Sequence, residues 1–255
     1  MKKTLAFLLL LGLMPLLSTP APAQDQEPDP EEVEAIDEAL TELEAAIKDK
    51  ASVDQIQFIK ILSEKWKNAT PKQRKKAFKL AGKNLKSKEK NVLEATVAAL
   101  GAMGGGKKGK DAKTATKILL TLLKKKSIEQ DVQMFLKVMD SVGRLQSAKG
   151  ADELLSLLNH KSNEVIAGSL DALRHFKDAP FKTRKELVKE ILKVYLGTFG
   201  QSRNPRNFTA QRKLRDIELQ AEAALAALTN RADIKGAIAW QKWWNKEGKK
   251  ANKGW

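Results

Sequence analysis

The sequence predicts an all-α solenoid, in which helices joined by short connections stack in series. Three observations lead there. Apolar residues recur at three- and four-residue steps through almost all of the chain after residue 31. No stretch sustains the two-residue alternation of a strand. A Leu-rich unit also repeats: LLTLL at 119–123 returns as LLSLL at 154–158, 35 residues later. Periods of that length built from two helices are the signature of a stacked array.

Residues 1–23 carry a basic start (Lys2, Lys3), an apolar run from Leu5 to Leu17 and a small-residue end at Ala21-Pro22-Ala23. This is the layout of a secretory signal peptide cleaved after Ala23. The apolar run is shorter than the roughly 20 residues a bilayer span needs. The expectation is a mature chain starting at Gln24, exported to the periplasm or secreted, with no transmembrane segment.

Residues 24–30 (QDQEPDP) are polar and Pro-containing, the composition of a linker. Val33, Ile36, Leu40, Leu43 and Ile47 then trace a narrow helical stripe over 31–49. Further helices are predicted over 53–67, 71–86, 88–101, 111–125, 128–146, 150–159, 163–176, 183–196, 210–228 and 232–246. Capping boxes are read at Ser52…Gln55, Thr70…Gln73 with Pro71 at the first helical position, Ser127…Gln130 and Thr183…Glu186. Gly197 is read as a helix stop, opening a loop over 197–209. Trp66 completes a core stripe with Val53, Ile56, Ile59 and Leu62, and Trp255 is expected to be exposed. The chain divides into 1–23 (signal peptide), 24–50 (acidic linker and first helix), 51–229 (repeats) and 230–255 (Trp-rich end and basic tail).

The segments VAALGAM (97–103), DSVGRLQ (140–146), DALRHFK (171–177) and AEAALAALT (221–229) share one helical pattern, each of the first two followed by a Leu-rich helix. On these residues the chain resembles HEAT-repeat proteins, in particular the PBS-lyase-like short HEAT repeats. Leu228-Thr229-Asn230, followed by Trp240-x-x-Trp243-Trp244, is similar to the C-terminal end of exported bacterial HEAT-repeat proteins, with Asn230 in place of the usual Gly. The resemblance implies a right-handed superhelix of five or six helix pairs. It also implies a long concave surface that binds protein or polymer, and no catalysis. Trp240, Trp243 and Trp244 share a helical face and would close the apolar end of the stack.

The chain has no cysteine and two histidines, His160 and His175, so disulfides and a His/Cys zinc site are excluded. Neither histidine stands at a catalytic spacing, and both read as solvated surface. No cofactor, metal site or catalytic residue is expected. Residues 101–108 (GAMGGGKK) approach the phosphate-loop pattern. They lack its Ser or Thr, and they follow a helix where the pattern requires a strand.

Charge is divided unevenly. Residues 24–50 carry eleven acids and two lysines, whereas 51–255 carry 43 Lys and Arg against 20 acids. Such a basic excess attracts anionic partners. The candidate contacts are Lys107 and Lys108 in the Gly-rich turn, Arg203 and Arg206 in the 197–209 segment, and Arg212, Lys213 and Arg215 just after it. The expected partner is an acidic protein or an anionic polymer. A nucleic-acid-binding or DNA-repair-like module is the alternative, disfavoured by the export signal. The acidic helix 31–49 would pack back on the basic remainder and shield it.

Overall fold

The computed structural model describes residues 29–104 and 109–255. The segment 1–23 expected to be a signal peptide, residues 24–28 expected to be linker, and Lys107 and Lys108 lie outside the described residues.

Twelve α-helices and no strand occur among the described residues, in five antiparallel pairs, one short connecting helix and one final helix. The pairs are α1 (Pro30–Asp49) with α2 (Ser52–Glu64), and α3 (Pro71–Asn84) with α4 (Lys90–Met103). α5 (Lys110–Leu123) pairs with α7 (Val132–Arg144) through the short α6 (Lys126–Gln130). α8 (Ala148–Leu157) pairs with α9 (Asn163–Leu173), and α10 (Phe181–Ser202) with α11 (Phe208–Thr229). α12 (Ala237–Lys246) packs on α10.

First members of the pairs form one row, α1–α3–α5–α8–α10, and second members another, α2–α4–α7–α9–α11. The four segments that repeat in sequence all end helices of the second row or run on from them. That row is the more tightly packed, and small residues explain it. A Cβ on Gly143 of α7 would stand 2.3 Å from the Ala172 carbonyl oxygen of α9. On Gly101 of α4 it would stand 3.0 Å from the Ser141 side chain of α7. Only missing side chains let these backbones approach so closely. The first row lies splayed, so the stack bends with the second row inside. Between the rows runs one continuous core, including Ile36, Leu62, Leu100, Val138, Leu170, Ile191 and Leu225, each no more than 1% exposed.

Local chemistry explains most boundaries. Thr70 forms the predicted capping box: its hydroxyl accepts from Gln73 N–H at 3.3 Å, and Gln73 Oε1 accepts from Thr70 N–H at 2.8 Å. Asn230 closes α11 in the left-handed conformation, φ 57°. The other three boxes do not form. Ser52 starts α2 uncapped, because Gln55 turns inward to donate to the Ala46 carbonyl at 2.9 Å. Near Ser127 the helix breaks, and Asp131 caps α7 instead, accepting from Met134 N–H. Thr183 lies inside α10, which begins after Pro180.

The largest departure concerns Gly197. α10 runs through it to Ser202, because Tyr195, Thr198 and Phe199 continue the buried face against α11. Packing of this kind overrides the low helix propensity of glycine. The connection shrinks to 203–207. Val53 faces solvent, 75% exposed, although Ile59, Leu62 and Trp66 are buried as expected. Trp255 is not free: its indole N–H donates to Gly248 O at 3.1 Å, and its ring meets Phe181 edge-on at 4.8 Å.

Candidate functional site

The α10–α11 hairpin gathers five of the seven predicted contact residues. Both helices have 22 residues, against 10 and 11 in the preceding pair. Asn163, the first residue of α9, donates from its side chain to Asp216 at 2.9 Å. Residues 208–215 of α11 therefore run about 12 Å past the start of α9, at 1.5 Å per residue. The start of α11 extends past α9 itself by that length, with the Lys161–Ser162 turn flanking Thr209 and Arg212.

Sequence makes this extension cationic. From residue 191 to 215 there are six Lys and Arg and no acid. Asn204 and Asn207 shape the tip. Asn204 Oδ1 accepts from Arg206 N–H at 3.0 Å, and Asn207 caps α11 by accepting from Ala210 N–H at 3.1 Å. Arg203 and Arg206 are exposed in the connection, and Arg212 and Arg215 are exposed on α11. Lys213 is half-buried on another side of the helix. Arg212 reaches only to 4.0 Å from Asp216.

A feature that the sequence reading missed is the face these arginines share. Phe208, Arg212, Arg215 and Leu219 follow steps of four, three and four, which align on one side of a helix. Phe208 is 75% exposed and Leu219 74%. The stripe thus brackets two guanidinium groups between two large apolar side chains, all turned to solvent. Phe199, on α10, is instead tucked against the core. Shallow grooves flank the stripe, one of about 450 Å³ beside Leu214 and Glu218, another of about 720 Å³ between Arg212 and the Lys161–Ser162 turn.

A larger groove, about 780 Å³, runs between α4 and α7. Its floor is Ala95, Ala98 and Ala102, and its rim carries compensated charges. Lys137 pairs with Glu94, and Asp140 accepts from His175 Nε2 and Arg144 Nε, both at 2.7 Å. The hydrogen bond from His175, opposed by partial burial and aided by Arg144, holds the Asp140 carboxyl down at about 2. His175 is therefore engaged in packing, contrary to the expected solvated role. His160 is engaged too, its Nδ1 accepting from Ser162 N–H at 3.1 Å. Burial, then hydrogen bonds to Glu218 and Glu222, push the Tyr195 hydroxyl far up, so it stays a neutral donor. No cluster of three potential metal-ligating side chains occurs among the described residues.

Two arginines do structural work that the sequence reading also missed. Arg74 Nε donates to Ala69 O at 2.8 Å, and Arg184 Nε donates to Ala179 O at 3.1 Å, the same five-residue step back. Each then reaches the next helix pair or its partner helix: Arg74 pairs with Asp111 at 2.8 Å, and Arg184 donates to Leu228 O at 2.7 Å. Each also lies over aromatic rings, Arg74 over Trp66 and Arg184 over Phe181 and Trp255. The strings ATPKQR (69–74) and APFKTR (179–184) are the signal that could have revealed them.

At the C-terminal end Trp240 is fully buried and Trp243 is 6% exposed, the two rings meeting edge-on at 5.5 Å. Trp244 is half-buried against them.

Fold and surface together define a helical-repeat protein of the solenoid class. No protein-family profile matches the chain. No curated protein matches it either. Among solved structures it is similar to an engineered protein at 15% identity and TM-score 0.42, covering 84% of this chain and 90% of that one. It is also similar to a designed armadillo repeat protein at 16% identity and TM-score 0.38, covering 80% of this chain and 97% of that one.

Proposed function

We propose that the protein is a non-catalytic HEAT-type scaffold working outside the cytoplasm, and that its α10–α11 hairpin docks an acidic protein partner. The observation that carries this reading is the exposed stripe Phe208–Arg212–Arg215–Leu219 on a helix that extends past α9. Aromatic and Arg side chains are the usual anchors of protein interfaces. The guanidinium groups select carboxylates, and Phe208 and Leu219 supply apolar area to bury. Arg203 and Arg206 extend the attraction at the tip, and Lys107 and Lys108 belong to the same class of anion contact. Trp240, Trp243 and Trp244 close the apolar end of the stack in this reading. α1 serves as its opposite cover, and Glu44 neutralises Lys76 and Lys83 at 3.4 Å. A signal peptide cleaved after Ala23 would deliver the scaffold.

The test uses a Glu-rich amphipathic helical peptide with Leu anchors, read by fluorescence anisotropy. Phe208→Ser with Leu219→Ser, and Arg212→Gln with Arg215→Gln, should each weaken binding by tenfold or more. Equal affinity for all three proteins would refute docking at this hairpin.

A further inference from the structure

The densest positive region lies elsewhere, on the splayed outer row. Residues 65–88 contain ten Lys and Arg and no acid. Residues 112–128 contain five lysines and no acid. These runs form α3 and α5, which are neighbours in the row, tied by the Arg74–Asp111 pair. On α3, Arg74, Lys76 and Lys83 are committed to Asp111 and Glu44. The remaining lysines point outward: Lys72, Lys75 and Lys79 on α3, Lys113 and Lys117 on α5, all exposed. None of these five pairs with an acid among the described residues. Steps of three and four stack them along each helix, and the Arg74–Asp111 pair holds the two helices side by side. The result is a two-column array of ammonium groups. It continues onto the turns through exposed Lys86 and Lys124.

The chemistry of the array says what it fits. It contains no exposed arginine fork, and the exposed large apolar residues Val53, Phe208, Leu219 and Ile238 all lie on other helices. A protein interface wants apolar anchors, and stable membrane attachment wants a second, apolar signal besides basic charge. Single-stranded nucleic acid wants aromatic platforms for its bases. Duplex DNA is stiff over about 150 base pairs, so on an outward-bending row it meets few of the lysines at once. A flexible chain with regularly spaced anions and no aromatic bases to stack has none of these needs. It can follow lysines from helix to turn.

We infer that the outer face of α3 and α5 is a second binding surface, separate from the hairpin, for an acidic polysaccharide. Lys75, Lys79, Lys113 and Lys117 are its central contacts, each meeting carboxylate or sulfate groups as a point charge. Binding is diffuse, multivalent and strongly weakened by salt.

The experiment measures binding of the full chain to polygalacturonate by calorimetry at low and moderate salt. A variant with Lys75→Gln, Lys79→Gln, Lys113→Gln and Lys117→Gln should lose at least tenfold in affinity and most of the salt dependence. A hairpin variant with Arg203→Gln, Arg206→Gln, Arg212→Gln and Arg215→Gln should keep wild-type affinity. Circular dichroism checks that both fold. The inference is overturned if wild type ignores polygalacturonate, or if the lysine variant binds like wild type. It is equally overturned if the hairpin variant is the one that loses binding, or if duplex DNA or phosphatidylglycerol vesicles bind more tightly at equal salt. The hairpin reading survives each of these results, since what refutes it is peptide affinity left unchanged in the hairpin variants, which is measured separately.

Discussion

The α3–α5 face and the α10–α11 hairpin carry similar charge and differ in everything around it. Both are built from acid-free runs. The face presents lysines alone on short helices held within the stack. The hairpin presents arginines between Phe208 and Leu219, each about three-quarters exposed, on a helix that extends past α9. Net charge by itself predicts attraction to anions in both places. The company the charges keep separates a diffuse electrostatic surface from one with anchors. A third group, Arg74 and Arg184, shows what a cation committed to folding looks like, with at least two backbone or side-chain acceptors each and rings beneath.

That comparison can be broken most forcefully at Trp240, which is fully buried where α12 supports α10. Trp240→Ala should cost about 3–5 kcal/mol, the range for truncating a buried large aromatic. Urea unfolding measures it. Hydrogen exchange should rise first in α10 and α11 and leave α3 and α5 protected.

A smaller loss is expected within the tight inner row. Gly143→Ala places a methyl 2.3 Å from the Ala172 carbonyl oxygen, which is backbone and cannot step aside cheaply. Overpacking of this kind costs about 1–3 kcal/mol. Thermal melts should show the drop, and a wild-type melting temperature would mean that the rows are looser than described.

The pH dependence is smaller again. Asp140 is held at about 2, below its ordinary 3.8, chiefly by the His175 hydrogen bond. A depressed carboxyl stabilises the fold above its unfolded pKa and loses that contribution as pH falls through the folded value. The window therefore runs from about pH 4 down to about pH 2. After discounting for its partial exposure, the contribution is about 1 kcal/mol. Asp140→Asn should be less stable than wild type at pH 6, and the difference should close by pH 2. A constant difference would assign the effect to packing.

The smallest effect sharpens the hairpin. Gly197 and Gly200 lie inside α10 with open space where a Cβ would stand. Gly197→Ala and Gly200→Ala should each stabilise by about 0.5–1 kcal/mol. If the segment were instead the loop that its sequence suggests, neither change would raise the melting temperature.

That segment marks where sequence reasoning reached its limit. Helix identity was legible almost throughout, because the buried stripes repeat at helical steps and Thr70-Pro71…Gln73 and Asn230 punctuate them plainly. Gly197 misled because local propensity was weighed above the continuing stripe Tyr195–Thr198–Phe199, whose partner lies across the hairpin on α11. Ser52 and Thr183 misled for a related reason: a cap-competent residue is used only where the chain enters the helix, and Gln55 and Pro180 moved those points. The candidate arginines were found from composition. Their alignment with Phe208 and Leu219 needed the helix to start at 208, two residues before the expected start. The lysine face was not legible, since nothing in sequence places α3 beside α5.

The central claim is that the exposed cations are surplus to folding, and that Arg74 and Arg184 are not. Thermal unfolding of three variants at one salt concentration tests it most directly: the four-lysine variant, the four-arginine hairpin variant, and Arg184→Gln. The account predicts melting temperatures at or slightly above wild type for the first two and a fall of several degrees for the third. A matching fall in the lysine or hairpin variant would contradict it.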